Sequence, residues 1–214
     1  NNALLGAPAA LGTGMGPEAS AVSTNTAAPG TTTRFTLFIN NTSSRTDNYD
    51  LSASTDSTFA TKVLPAGWSV KFVDDTNKAI SNTGIIAPAS GKRVFADVTV
   101  PANAASATTS LYFRALSPIT AAGDIKHDAV TVGAATDVVL EPNNQGQVLP
   151  GGTVIYSHWL TNQGNMPQTN ISLTQTNSAE NWASQLYADT DGNGVLSGGD
   201  ARISTAPAAF SAAT

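Results

Sequence analysis

The sequence predicts an all-β chain of two β-sandwich domains in tandem, the second incomplete as given. Three observations carry this prediction. Short segments alternate apolar and polar residues at a period of two. Turn signals such as Pro29-Gly30 and Pro150-Gly151-Gly152 separate them, and no stretch sustains a helical period. The order of features over residues 29–75 also recurs over residues 150–189.

Residues 1–17 are rich in Ala and Gly and weakly patterned, which reads as a flexible arm or, through residues 3–11, a donor strand for a neighbouring chain. Residues 19–26 are a candidate strand. In residues 31–40, Phe35, Leu37 and Ile39 alternate with Thr36, Phe38 and Asn40, the pattern of a half-buried strand. Residues 49–54 alternate again, and residues 57–63 are ambiguous, with a short helical turn as one reading. Strands follow at 68–74, with Trp68, Val70 and Phe72 on one face, and at 79–88, 93–100, 108–116 and 128–133. The second domain begins at residue 135, with strands at 136–141, 153–162, 170–176, 182–188 and 201–204 and an Ala-rich tail. The predicted division is therefore 1–17, 18–134 and 135–214.

The two halves echo each other. Pro29-Gly30 before a strand ending Ile39-Asn40-Asn41 matches Pro150-Gly151 before one ending Leu160-Thr161-Asn162. A Trp-led segment, Trp68 to Asp75, matches Trp182 to Asp189, and the Trp recurrence points to core positions for both. The strings PGGTVIYSHWLTNQGN and NWASQLYADTDGNGVLSGGD, with LPAGWSVKFVDD in the first copy, resemble the Ig-like repeats of bacterial surface proteins, the conserved-repeat (DUF11) or NEW3-type domains. The resemblance implies two tandem Ig-like sandwiches in a surface-layer, fibre or adhesin stalk; it does not imply catalysis. Against the first copy, the second lacks its last strands, so either the chain continues or another chain supplies them.

Composition narrows the function classes. Hydrophobic residues are 41% of the 214, enough for a core, while charged residues are only 12%, about half the usual share. The net charge of −5 lacks the basic stripe that nucleic acid requires. There is no cysteine, so no disulfide staples the chain, and no apolar run is long enough to cross a bilayer. The start at Asn1 reads as a mature or excised chain of an extracellular, cell-surface protein.

The densest chemistry lies at Asp189-Thr190-Asp191-Gly192-Asn193-Gly194-Val195-Leu196-Ser197-Gly198-Gly199-Asp200, which has the spacing of an EF-hand-type calcium loop. Oxygen-bearing side chains fall at places one, three, five and nine, a carboxylate closes the twelfth, and Gly194 stands at the sharp turn. The expected calcium ligands are Asp189, Asp191, Asn193, the Val195 carbonyl, Ser197 directly or through water, and Asp200. The closing residue is Asp and not the longer Glu, and strands flank the loop in place of helices. The matching stretch Asp74-Asp75-Thr76-Asn77-Lys78 lacks the glycine and a spaced closing acid, so no ion is expected there.

His127 and His158 are the only histidines, and with no Cys they offer no zinc set. His127 stands near Asp124 and Asp128, but the sequence sets no nucleophile or oxyanion hole beside it. Asp74/Asp75 and Asp124/Asp128 read as solvating acids, not as a glycosidase pair. Trp159 is the tryptophan expected to be exposed. Sequons occur at Asn40, Asn41 and Asn170. The expectation is a structural, non-enzymatic building block of a bacterial surface layer, filament or stalk, stiffened by calcium. Its partners would be copies of itself or neighbouring surface domains, and the alternative is a carbohydrate-binding or adhesive module.

Overall fold

The computed structural model of the chain describes residues 4–6, 16–203 and the backbone of 210–212. The described residues form strands β1 Leu5–Gly6, β2 Thr24–Ala27, β3 Thr32–Asn41, β4 Asp50–Ser54, β5 Ser69–Val73, β6 Ser90–Thr99, β7 Thr108–Leu116, β8 Gly123–Val132, β9 Val138–Glu141, β10 Trp159–Asn162, β11 Gln168–Ile171, β12 Leu186–Ala188, β13 Ala201–Ile203 and β14 Phe210–Ala212. Chain contacts divide it into two units, Asn1–Ala134 and Ala135–Thr214.

The first unit is a β-sandwich. One sheet runs β1-β3-β6-β5 and the other β2-β8-β7-β4. All pairings are antiparallel except β2 with β8, which is parallel from Thr24↔Ala129 to Ala27↔Val132. Alternation sends Phe35, Leu37 and Ile39 from β3, Val94, Ala96 and Val98 from β6, and Leu111, Phe113 and Ala115 from β7 into one core. Phe113 sits at its centre, tilted against Phe35 at 5.4 Å and edge-on to Phe72 at 6.2 Å. The outer faces are polar, as in the Arg34 fork on Asp97.

Several elements differ from the sequence reading. Within the expected arm, Leu5 pairs with Ile39 and Gly6 with Phe38 of the same chain, and Leu5 is buried at 1% exposure. The described part of the arm is thus an edge strand of its own sandwich; residues 1–3 and 7–15 lie outside the described residues. Strand β8 starts at Gly123, well before the expected residue 128. Its first half escaped notice because its inward positions are Asp124, Lys126 and Asp128, all buried. Residues 79–88 make only isolated bridges, Val73↔Ala79, Asp50↔Asn82 and Asp47↔Ile86, and no strand. Residues 57–63 are not helical. There the exposed Asp56 carboxylate accepts the Thr61 and Thr58 N–H groups at 2.9 Å each, which with the Thr58 hydroxyl lower its pKa to about 2. Asn40 and Asn41 are buried at 4% and 1%, so those two sequons are inaccessible to a glycan.

The second unit is built differently. Its described strands form three two-stranded ribbons, β10-β9, β11-β14 and β12-β13. The 153–162 prediction shrinks to β10 and the 182–188 prediction to β12. Among the described residues every buried hydrophobic side chain belongs to the first unit; in the second only Asn165 is buried. Trp182, assigned to a core by its match with Trp68, is 59% exposed, whereas Trp68 packs against the first unit's core. The echo between the halves therefore does not extend to burial.

Candidate metal centre

The twelve-residue loop is the connection of a hairpin. Strands β12 and β13 pair in register, Leu186↔Ile203, Tyr187↔Arg202 and Ala188↔Ala201, so residues 189–200 are the turn between them. Gly192 and Gly194 have φ of 69° and 74°, left-handed backbone that glycine adopts without strain. These two turns curl the loop on itself.

Three of the six expected ligands converge. One carboxylate oxygen from each of Asp189, Asp191 and Asp200 lies within 4.8 Å of the other two. The loop's own N–H groups hold them there. Asp189 accepts from Gly194 at 2.7 Å and Asn193 at 3.2 Å, and Asp200 accepts from Ser197 at 2.6 Å and Thr190 at 3.1 Å. Asn193 lies beside the acids, donating its side-chain amide to Asp191 at 2.7 Å and accepting the Val195 N–H at 2.7 Å. The Ser197 hydroxyl accepts from Gly199 at 3.3 Å, and the Val195 side chain is exposed. Asn193, Val195 and Ser197 thus belong to the loop, but the convergent set is the three carboxylates. The Gly194 carbonyl is engaged from outside the loop by the Ser157 hydroxyl at 2.7 Å.

The electrostatics favour a cation. The Gly194 N–H, followed by a hydrogen bond with the Asp191 side chain and then the Asn193 N–H, holds the Asp189 carboxyl below its ordinary range, and the Ser197 and Thr190 N–H groups do the same for Asp200. The described ion pairs, Arg34–Asp97, Arg93–Asp75 and Lys126–Asp128, all lie in the first unit. That unit holds nine acidic and nine basic residues, while the second holds six acids and one arginine, so the whole net charge of −5 resides there. Three oxygens of a hard, anionic set suit calcium or another oxygen-seeking divalent ion, with water and loop oxygens completing a total of about six to eight places.

The other residues singled out in the sequence are dispersed. Asp74 closes a turn on Thr76 and Lys78, and Asp75 pairs with Arg93 at 2.8 Å. Asp124 and Asp128 are interior tethers: Asp124 accepts from Leu5 and Gly16, Asp128 from Ser23 and the Lys126 ammonium. Burial raises the pKa of both, and these hydrogen bonds offset the rise only in part. His158 is exposed, as is Trp159 at 63%. The Ser110 hydroxyl lies 3.0 Å from His127 Nε2, so a hydroxyl does stand beside that histidine. Two residues distant in sequence went unnoticed, Asp47 and Ser117, which order one end of the sandwich. Burial alone would raise the Asp47 pKa, but hydrogen bonds from Ser117 at 2.7 Å, the Asn48 N–H and Thr120 at 2.9 Å hold it low.

No family model matches the chain, and no curated protein matches it. Solved structures resemble it distantly. Similar chains include the Pseudomonas aeruginosa CupB2 chaperone, with 12% identity, TM-score 0.38, and coverage of 51% of this chain and 52% of that one. A sialic acid binding region of a Streptococcus sanguinis adhesin shares 16% identity at TM-score 0.36, covering 53% and 28%. A PapD-like domain of human CEP192 shares 12% at TM-score 0.28, covering 57% and 94%. The chain spans less than two-thirds of the length of the first two. With its two four-stranded sheets, the first unit is a β-sandwich.

Proposed function

We propose that the chain is a structural, non-enzymatic extracellular protein, a building block of a bacterial surface layer, filament or stalk whose second unit is stiffened by calcium. The observation that carries this reading is the convergence of Asp189, Asp191 and Asp200 in the β12–β13 turn, in a unit with no buried hydrophobic side chain among its described residues. A unit without a dry core gains order from an ion, because binding to the folded form alone adds stability as the logarithm of ligand concentration. At a hundredfold excess over Kd this is about 2.7 kcal/mol.

In this proposal the second unit is a partial Ig-like sandwich completed in the assembled form, and its partners are copies of the chain or neighbouring surface domains. The exposed Val138, Leu140 and Ile155 are the surface that strand addition would cover. The decisive experiment is a calcium titration followed by calorimetry and thermal melting, with negative-stain microscopy with and without chelator. Heat of binding, a second-unit transition that rises with calcium, and calcium-dependent polymers are expected. No heat at millimolar ion and a melt indifferent to chelator would end the metal reading.

A second reading, a carbohydrate-binding or adhesive module, draws on the exposed indoles of Trp159 and Trp182, at 63% and 59%. Glycan-array binding lost in Trp159→Ala would favour it.

A further inference from the structure

The outer face of the β2-β8-β7-β4 sheet carries a feature independent of the metal loop. In β7 the core residues Leu111, Phe113 and Ala115 point inward, so Ser110 and Tyr112 point outward. Tyr112 is paired with His127 of β8, and Ser110 sits one step along, diagonal to the histidine. The imidazole stacks on the Tyr112 ring at 4.6 Å and 27°.

The hydrogen bonds fix the ring's chemistry. His127 Nδ1 lies 3.0 Å from the Glu18 backbone carbonyl, which can only accept, so Nδ1 carries the proton in the neutral ring. Nε2 is then the basic nitrogen, and it faces the Ser110 hydroxyl at 3.0 Å. The backbone of residues 18–23 clamps this arrangement: His127 N–H donates to the Glu18 carboxylate at 2.8 Å, and Val22 N–H donates to the His127 carbonyl at 2.7 Å. His127 is buried at 7% exposure, while Ser110 is exposed. A buried base of defined tautomer thus faces a hydroxyl that solvent can reach.

The ladder also leaves a donor beside that hydroxyl. Val132 N–H bonds the Ala107 carbonyl and Ser117 N–H bonds the Ala122 carbonyl, so odd-numbered residues along β7 bond toward β8. Even-numbered residues, Ser110 included, therefore turn their N–H toward β4. But β4 ends at Ser54, opposite Tyr112, and the chain turns away where Thr55 N–H bonds the Val63 carbonyl. Among the described residues no strand stands opposite the Ser110 N–H, which is placed to meet an oxyanion.

We propose that Ser110 is an acyl-accepting nucleophile, with His127 as its base and the Glu18 carbonyl positioning the ring. Ser110 Oγ attacks the carbonyl carbon of an activated ester as its proton passes to His127 Nε2. The tetrahedral oxyanion rests on the Ser110 N–H. The bond to the leaving oxygen then breaks, and the released alcohol or phenol takes the proton from Nε2, leaving an ester on Ser110 and a neutral imidazole. The substrate class is an uncharged ester with a good leaving group, since a single N–H donor supports only an activated acyl group.

The test is incubation of the full chain with p-nitrophenyl acetate, read by intact mass and peptide mapping. One acetyl group at Ser110 is expected. His127→Gln should slow its formation by about a hundredfold or more, within the usual range for a general base. Ser110→Ala should abolish it. Ser106, an exposed serine in the turn before β7 whose hydroxyl bonds the Val132 carbonyl and no histidine, is the internal reference in the wild-type chain. This comparison stands even if His127→Gln fails to fold. Acetylation of Ser110 no faster than of Ser106, or equally fast in folded His127→Gln, overturns the proposal.

Discussion

The buried carboxylate of Asp124 offers a demanding test of how the first strand is held. It is 3% exposed, and its two oxygens accept N–H groups from Leu5 at 3.0 Å, Gly16 at 2.8 Å and its own neighbour Ile125 at 2.9 Å. One side chain thereby tethers β1 and the chain's return at Gly16. Asp124→Ala removes the acceptor of the buried Leu5 N–H and of the half-buried Gly16 N–H, at about 1–3 kcal/mol for a group left unpaired. Relief of a buried charge returns part of this, because burial is the largest influence on the Asp124 pKa and raises it. The net loss should be on the order of 2–4 kcal/mol. Equilibrium urea unfolding gives the number, and hydrogen exchange at Leu5 shows whether β1 is what comes loose. The pH dependence supplies a second handle. A folded-state pKa above the ordinary 3.8 means the native protein keeps its proton longer than the unfolded chain. The stability contributed by Asp124 is therefore complete below 3.8 and falls as pH rises through the raised value, a slope that Asp124→Asn should lack. An Asp124→Ala protein within about 0.5 kcal/mol of wild type, with Leu5 still protected, would refute the tether.

Three further outcomes are expected. Phe113→Ala should cost about 3–5 kcal/mol by urea denaturation, since Phe113 is 1% exposed between Phe35 and Phe72, whereas Ile119→Ser, at 71% exposure, should stay within about 0.5 kcal/mol. Asp191→Asn should weaken calcium binding at least tenfold by calorimetry while leaving the first unit's unfolding unchanged, and equal affinity would remove Asp191 from the ligand set. Because hydrogen bonds depress the Asp189 and Asp200 pKa values, the order they give the loop is present above 3.8 and lost as pH falls below it, as the Gly194 amide resonance followed through acid titration should show.

The first unit was legible where one face of each strand is apolar. Phe35, Leu37 and Ile39, or Leu111, Phe113 and Ala115, announce both a strand and its buried side. Legibility failed where polar residues face inward. Asp124 and Asp128 read as solvating acids, with a strand only from residue 128, yet a Lys126–Asp128 pair at 2.7 Å and N–H donors from residues 5, 16 and 23 make them buried strand. Such partners lie far along the chain and leave no local trace. In the acidic loop, spacing picked out the three acids that converge, among six expected ligands, because the turn is short and its glycines dictate the curl. The Ser110–His127 contact was hidden, since only the β7–β8 register brings the two together. Trp182 shows the converse: a repeated motif does not carry burial with it when the sheets around it differ.

The parallel pairing of β2 with β8 bears on what happens under tension. After the short edge strand β1, β2 begins at Thr24 and β8 ends at Val132, and these residues lie at opposite ends of the same ladder. A pull on the flanking chain would load Thr24↔Ala129 through Ala27↔Val132 together, in shear, so they would have to fail at once. The two pairs of antiparallel β1, by contrast, would peel one after the other. A sandwich wired in this way yields late and abruptly when stretched along its chain.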